Sequence, residues 1–170
     1  TILSKNFQSG IHWDKNDYNF STTFYLKNLS NFFKSEWSFS FEDYLYHNNE
    51  IIDTGYGKIN GLEIQFRKKS GIVTGWVSYH NSNTKYQLSD LNEGKLFFAN
   101  YNKNHELKIV MLGQISNMNL SASWVFSSGR PFTSLENLYV ESGSGYEIFS
   151  KGEYNNERVK SSHHLDISLV

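Results

Sequence analysis

The sequence contains no cysteine and only one proline, Pro131, among 170 residues. Without cysteine, neither disulfide bonds nor a thiolate metal site can hold the fold together, which excludes most small secreted scaffolds. No stretch reaches the length of about 18 consecutive apolar residues that a membrane-spanning helix needs, and the mean hydropathy is -0.54. These absences exclude a helical membrane protein but not a β-barrel, because barrel strands carry apolar side chains only at alternate positions.

An excess of charge of one sign is also lacking, because 16 Lys and Arg residues face 17 Asp and Glu residues. The charges form no basic stripe that could neutralise phosphates, so nucleic acid is not an expected partner. The sequence has no G-x-S-x-G elbow, glycine-rich phosphate cradle or H-E-x-x-H motif. Glu42 and Asp43 lie in a polar stretch and are interpreted as solvated loop charge. We therefore expect neither an enzyme nor a cofactor.

Aromatic residues make up 16% of the chain, and hydrophobic residues recur at every second position in several blocks. Similar blocks occur near residues 7–13, 20–26, 62–66, 107–111 and 165–169. The clearest one has its apolar side chains at Leu120, Ala122, Trp124 and Phe126. A period of two is typical of a β-strand with one polar and one apolar face. The blocks predict strands near 6–14, 18–27, 57–68, 72–84, 103–114, 118–130 and 157–170.

The connections between these strands alternate in length. Short polar links at 14–17, 68–71 and 115–117 have the composition of hairpin turns, whereas the connections near 27–56, 81–103 and 130–157 are long. An additional hairpin around 37–41 is one interpretation of the first long connection. Bacterial barrels have short turns at one rim and long loops at the other. The pattern predicts an all-β fold, an antiparallel transmembrane β-barrel of which this chain supplies about seven strands.

Several passages in the stretch from residue 57 to residue 170 then resemble motifs of TonB-dependent outer-membrane receptors. The sequences YGKINGLE (56–63), FRKKSG (66–71) and TGWVSY (74–79) are similar to their G-x-x-x-G-x-E, K-x-x-G and G-x-x-S-Y motifs. FANYNKNHEL (98–107), LSASW (120–124) with SGRPFT (128–133), and the segment from Asn156 and Arg158 to HHLDISL (163–169) follow in family order. The departures are Asn102, where the family has Asp, and Ser162 and His164, where it has Tyr and Arg.

This resemblance implies a barrel of about 22 strands whose lumen holds an N-terminal plug domain. Residues 1–170 would be part of the barrel wall, with the plug and the final strands outside this chain. The sequence opens at Thr1 without a leader pattern, and we expect an internal segment of a longer protein. The expected location is the bacterial outer membrane of a Gram-negative cell, and the composition resembles receptors of the Bacteroidota group.

The resemblance also implies the partners and the site. They are outer-membrane lipid, the plug and the remaining strands, and the TonB complex acting through the missing N-terminal part. A surface lipoprotein or another outer-membrane subunit is a further candidate partner. Glu63, Gln65 and Arg67 are predicted to line the lumen. Arg130 is the candidate contact for an anionic ligand at the extracellular rim, with a pair that orders the loop as the alternative.

Two other features have competing interpretations. The histidines near strand ends suggest a metal site, but His163 and His164 should point to opposite faces, so no metal site is predicted. Trp13, Trp76 and Trp124 are assigned to interfacial aromatic girdles in preference to glycan stacking. The predicted function is uptake of a scarce solute, with two alternatives: a structural barrel subunit without transport, or a soluble β-rich glycan-binding module.

Overall fold

The computed structural model describes residues 2–35, 51–89, 91–140 and 147–170, and this part of the chain is all-β. Seven long strands carry the architecture: β1 (Leu3–Lys15), β2 (Tyr18–Ser35), β3 (Ile51–Lys68), β4 (Val73–Gln87), β6 (His105–Ile115), β7 (Met118–Ser127) and β12 (Ser162–Leu169). The short strands are β5 (Phe97–Phe98), β8 (Pro131–Phe132), β9 (Leu135–Val140), β10 (Glu147–Lys151) and β11 (Glu157–Arg158). A single 3-10 turn lies at Asn92–Gly94 in the described residues.

The long strands form one large antiparallel sheet of eight strands, in the order β1-β2-β3-β4-β6-β7-β12 with β5 paired to β4. Each long strand therefore lies beside the next long strand along the chain. Strands β9 and β10 form a separate two-stranded sheet, as do β8 and β11. Within the described residues, the large sheet does not close on itself, and the outer edges of β1 and β12 have no neighbour. No helix in the same residues is long and apolar enough to span a membrane.

The short connections lie at one end of the sheet, as the sequence predicted. Residues 16–17 and 116–117 form turns with left-handed backbone at Asn16 and Ser116 (φ 52° and 56°). The β1–β2 turn is joined to the β3–β4 turn, since the backbone N–H of Lys69 donates to the carbonyl of Asp17 at 2.7 Å. The Lys69 ammonium also lies 2.6 Å from the carboxylate of Asp14. We call this end of the sheet the turn end and the opposite one the long-loop end.

The seven predicted strands are all present, but their ends differ at the long-loop end. β2 and β3 extend to residue 35 and back from residue 51, where the sequence predicted a loop over 27–56. The pairing shifts register between Ser30 and Phe32 around Asn31, whose φ of 58° marks a bulge. A bulge inserts one residue and so breaks the period of two, which explains why this part was interpreted as a loop. The suggested hairpin at 37–41 lies outside the described residues.

The segment after β7 also differs from the prediction. The strand predicted to reach residue 130 ends at Ser127, and the last long strand begins at Ser162 instead of residue 157. Glu157 and Arg158 pair instead with Phe132 and Pro131, so the predicted 130–157 connection contains its own small sheets. β8 and β11 were missed because a two-residue strand has no period that a sequence pattern can reveal.

Candidate functional site

The register of the sheet divides it into two faces of different chemistry. Directly opposed residues of antiparallel strands project to the same side. One row crosses all seven long strands and is apolar throughout: Trp13, Phe20, Phe66, Val77, Ile109, Trp124 and Leu165. We call this side the apolar face and the other the polar face. Their separation confirms the alternation that was predicted from the sequence.

The apolar face is uncovered by the described residues. Phe7, Ile11 and Ile167 are 59%, 66% and 67% exposed, respectively. The described apolar side chains that are buried are Leu88, Phe97, Ala99 and Pro131, which lie at the long-loop end and not beneath the sheet. A folded domain in water gains most of its stability by burying such surface. The apolar face of this sheet is instead exposed among the described residues, and exposed apolar patches of this kind mark interaction surfaces.

The upper limit of the apolar band runs diagonally across the strands. Apart from Ser9 on β1 and Thr22 on β2, which lie within the band, the first polar residues toward the long-loop end are Lys5, Asn28, Asn60, Asn81, His105 and His163 on β1, β2, β3, β4, β6 and β12. His163 lies in the row of Ile11, six residues along β1 from Lys5. The limit therefore drops by about 20 Å across six strand intervals of about 4.8 Å, a slope of roughly 35°. Strands of membrane barrels tilt by about 35–45°.

The predicted lumen residues all lie on the polar face. Glu63 is exposed and opposes Thr23 and His80, whereas half-buried Gln65 opposes Ser21. Arg67 is exposed at the turn end and opposes Asn19 and Trp76. Side chains on this face surround a hollow of about 310 Å³ that includes Glu63 and Gln65. Whether this hollow opens onto a lumen stays a prediction.

A row of titratable side chains crosses the centre of the polar face. His80 stands between Glu63 on β3 and Glu106 on β6, its direct partners in the sheet. Its Nε2 atom lies 2.9 Å from the Tyr25 hydroxyl and 3.7 Å from a Glu63 oxygen. Lys108 contacts the other side of the row, with its ammonium 2.7 Å from Glu106. The polar face therefore holds paired acid and base on neighbouring strands.

Gly61 allows the aromatic ring of Tyr25 to lie across the polar face. These two residues are direct partners, and a Cβ atom added at Gly61 would lie 2.3 Å from the Tyr25 hydroxyl oxygen. Any larger residue would displace the ring that contacts His80. The sequence analysis noted Gly61 only as part of a family motif, because the pairing of β2 with β3 is needed to find its partner.

The long-loop end is held by a network centred on Arg158, which we call the rim network. The guanidinium donates to the carbonyls of Gly129 and Asn102 at 2.8 and 3.2 Å and to the Asn104 side chain at 2.9 Å. It also stacks over the ring of Phe98, with 4.5 Å between Cζ and the ring centroid. Partial burial lowers the pKa of Arg158 from its ordinary value, although a guanidinium stays charged in proteins.

Two asparagines complete the rim network. Buried Asn102 accepts a hydrogen bond at 2.7 Å from the backbone N–H of Thr84. Buried Asn155 donates from its side chain to the carbonyl of Phe98 at 2.5 Å and to the side chain of Asn100 at 2.7 Å. The resembled motif has Asp at position 102, and the side-chain oxygen of Asn102 can accept the same hydrogen bond that a carboxylate would accept. The network joins three segments that carry the family-like motifs.

Other site predictions have mixed outcomes. Arg130 is exposed, and its carbonyl accepts from the N–H of Val159 at 3.1 Å, while Arg158 supplies the guanidinium of the rim network.

Trp76 opposes Arg67 on the polar face, so its assignment to an aromatic girdle with Trp13 is wrong. The error arose because Trp76 and Val77 are both apolar and the pattern does not say which one faces outward.

Histidine parity follows the prediction in the described strands. His163 opposes Phe126 on the apolar face, and His164 opposes Val125 on the polar face. The described residues include no group of three or more His, Asp, Glu or Cys side chains placed to hold a metal ion.

Comparisons with known proteins do not place the chain in a family. No protein-family model matches the sequence. No curated protein matches it either.

Proposed function

We propose that this chain is part of the wall of a transmembrane β-barrel in the bacterial outer membrane, in a transporter of the TonB-dependent type. The observation that carries the proposal is the uncovered apolar band with a limit sloping by roughly 35°. A planar hydrocarbon layer crossing tilted strands produces such a slope. A layer of soluble protein packed on the sheet has no physical reason to follow it.

The dimensions of the band support the same environment. On β3, polar Asn60 and Lys68 limit the apolar residues Leu62, Ile64 and Phe66. Eight residue steps separate the two limits, which is about 26 Å along the strand and about 22 Å along the normal of a membrane crossed at 35°. The apolar band of outer-membrane barrels is about 25 Å tall.

The transporter type is supported by the resemblance and not by the band. The rim network brings together residues from the motifs at 98–107, 128–133 and 156–158. The proposal assigns the extracellular side to the long-loop end, where the loops and Arg130 would meet the solute. Glu63, Gln65 and Arg67 would face the plug, and the TonB complex would act through the plug.

The experiment uses the full-length protein in its own bacterium. Cells are fractionated, and growth is measured on limiting iron chelates, cobalamin, glycans or peptides, with and without the gene. We expect recovery in the detergent-extracted outer membrane and loss of growth on one solute class. Disrupting the TonB-contacting segment of the plug should reproduce that loss.

The outcomes separate the alternatives. Release of the protein into buffer contradicts the barrel and favours a soluble module. Recovery in the outer membrane with unchanged uptake, or absence of a TonB-contacting segment from the full sequence, contradicts transport and favours a structural subunit.

A further inference from the structure

Two lysines face each other on the apolar side of the sheet, above the apolar band. Lys58 on β3 and Lys85 on β4 are direct partners, and Lys5 on β1 lies in the same row with Asn28 between. Like charges in directly opposed positions destabilise a sheet. None of the three lysines has a carboxylate within ion-pair distance among the described residues. No carboxylate therefore offsets these like charges within this part of the chain.

The surroundings of the lysine pair supply further amide groups. The next row toward the apolar band pairs Asn60 with Asn83, whose side chains project to the same face. Lys85 also lies over the ring of Phe98, with 4.7 Å from its ammonium nitrogen to the centroid. That ring holds the Lys85 stem at the end of the strand, close to the rim network. The patch is a cationic, amide-bearing surface on the outward side of the sheet.

The height of the patch determines which anion it meets. Lys58 lies two residues beyond Asn60, which places it about 5 Å above the apolar limit at a tilt of 35°. The headgroup region of a bilayer begins directly above its hydrocarbon. A lysine stem can lie along that boundary with its ammonium among the headgroups.

We propose that Lys58 and Lys85, flanked by Lys5, bind the phosphate groups of an anionic membrane lipid on the outward face of the long-loop end. This rests on the proposed membrane location but not on transport. The phosphate oxygens accept from both ammonium groups and remove the repulsion between them. The lipid tails extend along the apolar band below.

The test measures retained lipid on the full-length protein in nanodiscs that contain phosphatidylcholine and phosphatidylglycerol, using native mass spectrometry. The variant is Lys58→Gln with Lys85→Gln. The control is Lys27→Gln, which removes a charge from the polar face. Each lysine near an anionic surface contributes about a factor of five, so the variant should bind phosphatidylglycerol about thirtyfold more weakly. The control should match the wild type.

Each outcome decides the matter. Equal phosphatidylglycerol retention by the wild type and the Lys58/Lys85 variant overturns the lipid site while leaving the barrel intact. Displacement of the lipid by inorganic phosphate at the same phosphate concentration overturns the commitment to lipid and assigns a free-phosphate site. Failure of the wild type to enter nanodiscs overturns the membrane location and the lipid site together. In nanodiscs of phosphatidylcholine alone, the Lys58/Lys85 variant should be at least as stable as the wild type. This measurement checks that the variant folds.

Discussion

Ile64 offers the most direct test of the apolar face. It lies on β3 midway between Asn60 and Lys68, the polar residues that limit the band on that strand. Four residue steps of about 3.3 Å separate it from each limit, or about 11 Å along the normal of a membrane crossed at 35°. Ile64→Arg therefore places a charge near the centre of the hydrocarbon, where arginine costs about 2–4 kcal/mol in a membrane barrel.

The matched control is the adjacent residue, Gln65. It projects to the polar face, where its partners on β2 and β4 are Ser21 and Ser78. Gln65→Arg should change the free energy of unfolding by no more than about 0.5 kcal/mol. The assay is denaturant unfolding of the full-length protein in lipid vesicles, with both variants measured in the same lipid. The expected difference corresponds to a factor of about 30 to 1,000 in the folding equilibrium.

A third substitution separates lipid from a packed protein layer. Ile64→Phe adds volume, which costs about 1–3 kcal/mol in a packed core because neighbouring side chains must move. Lipid chains rearrange, so we expect little change in the free energy of unfolding. The membrane assignment would be refuted if Ile64→Phe were strongly destabilising, or if Ile64→Arg and Gln65→Arg had equal effects.

The remaining predictions concern the slope and the long-loop end. Phe7 and Asn83 lie in one row, but the slope places only Phe7 inside the band. In vesicles, Phe7→Arg should cost about 1–2 kcal/mol, because Phe7 lies between the centre and the limit of the band, and Asn83→Arg about 0–1 kcal/mol. Equal costs would contradict the slope. In Gly129→Ala the added Cβ would lie 1.6 Å from the carbonyl oxygen of Val159. The backbone must shift, which should cost about 1–3 kcal/mol and appear as faster hydrogen exchange at residues 129–134. Unchanged exchange would contradict the close approach. Arg158→Lys keeps the charge but loses the planar fork of donors. Hydrogen exchange should become faster at residues 98–104 and stay unchanged at the turn end. Unaltered exchange at 98–104 would show that the rim network does not depend on the guanidinium.

The sequence predicts the faces of the sheet much better than its register. Alternation places Leu120, Trp124 and Leu165 on one side because side-chain direction depends only on the local strand. The slope of the apolar limit needs the alignment of each strand with its neighbour, which is a property of pairs. The partnership of Lys58 with Lys85 needs the same alignment, so neither feature could be predicted from one strand at a time.

The rim network shows a second limit of sequence-based prediction. Arg130 was chosen as the candidate rim residue because it adjoins a motif and a strand end, whereas Arg158 makes the hydrogen bonds of the rim network. Arg130 and Arg158 are 28 positions apart in sequence, and the two-residue pairing of β8 with β11 brings their segments together. Only the resemblance gave a reason to single out Arg158, as part of a motif without an assigned contact.

The neighbour order of the sheet has a consequence for how the protein acquires its structure. Every long strand after β1 pairs with the preceding long strand along the chain, and within the described residues only β1 and β12 keep a free edge in this order. The hairpin pairings β1–β2, β3–β4 and β6–β7 close short turns and lose little chain entropy before contacts form. The wall can therefore be assembled one hairpin after another, each new hairpin offering its free edge as the template for the next.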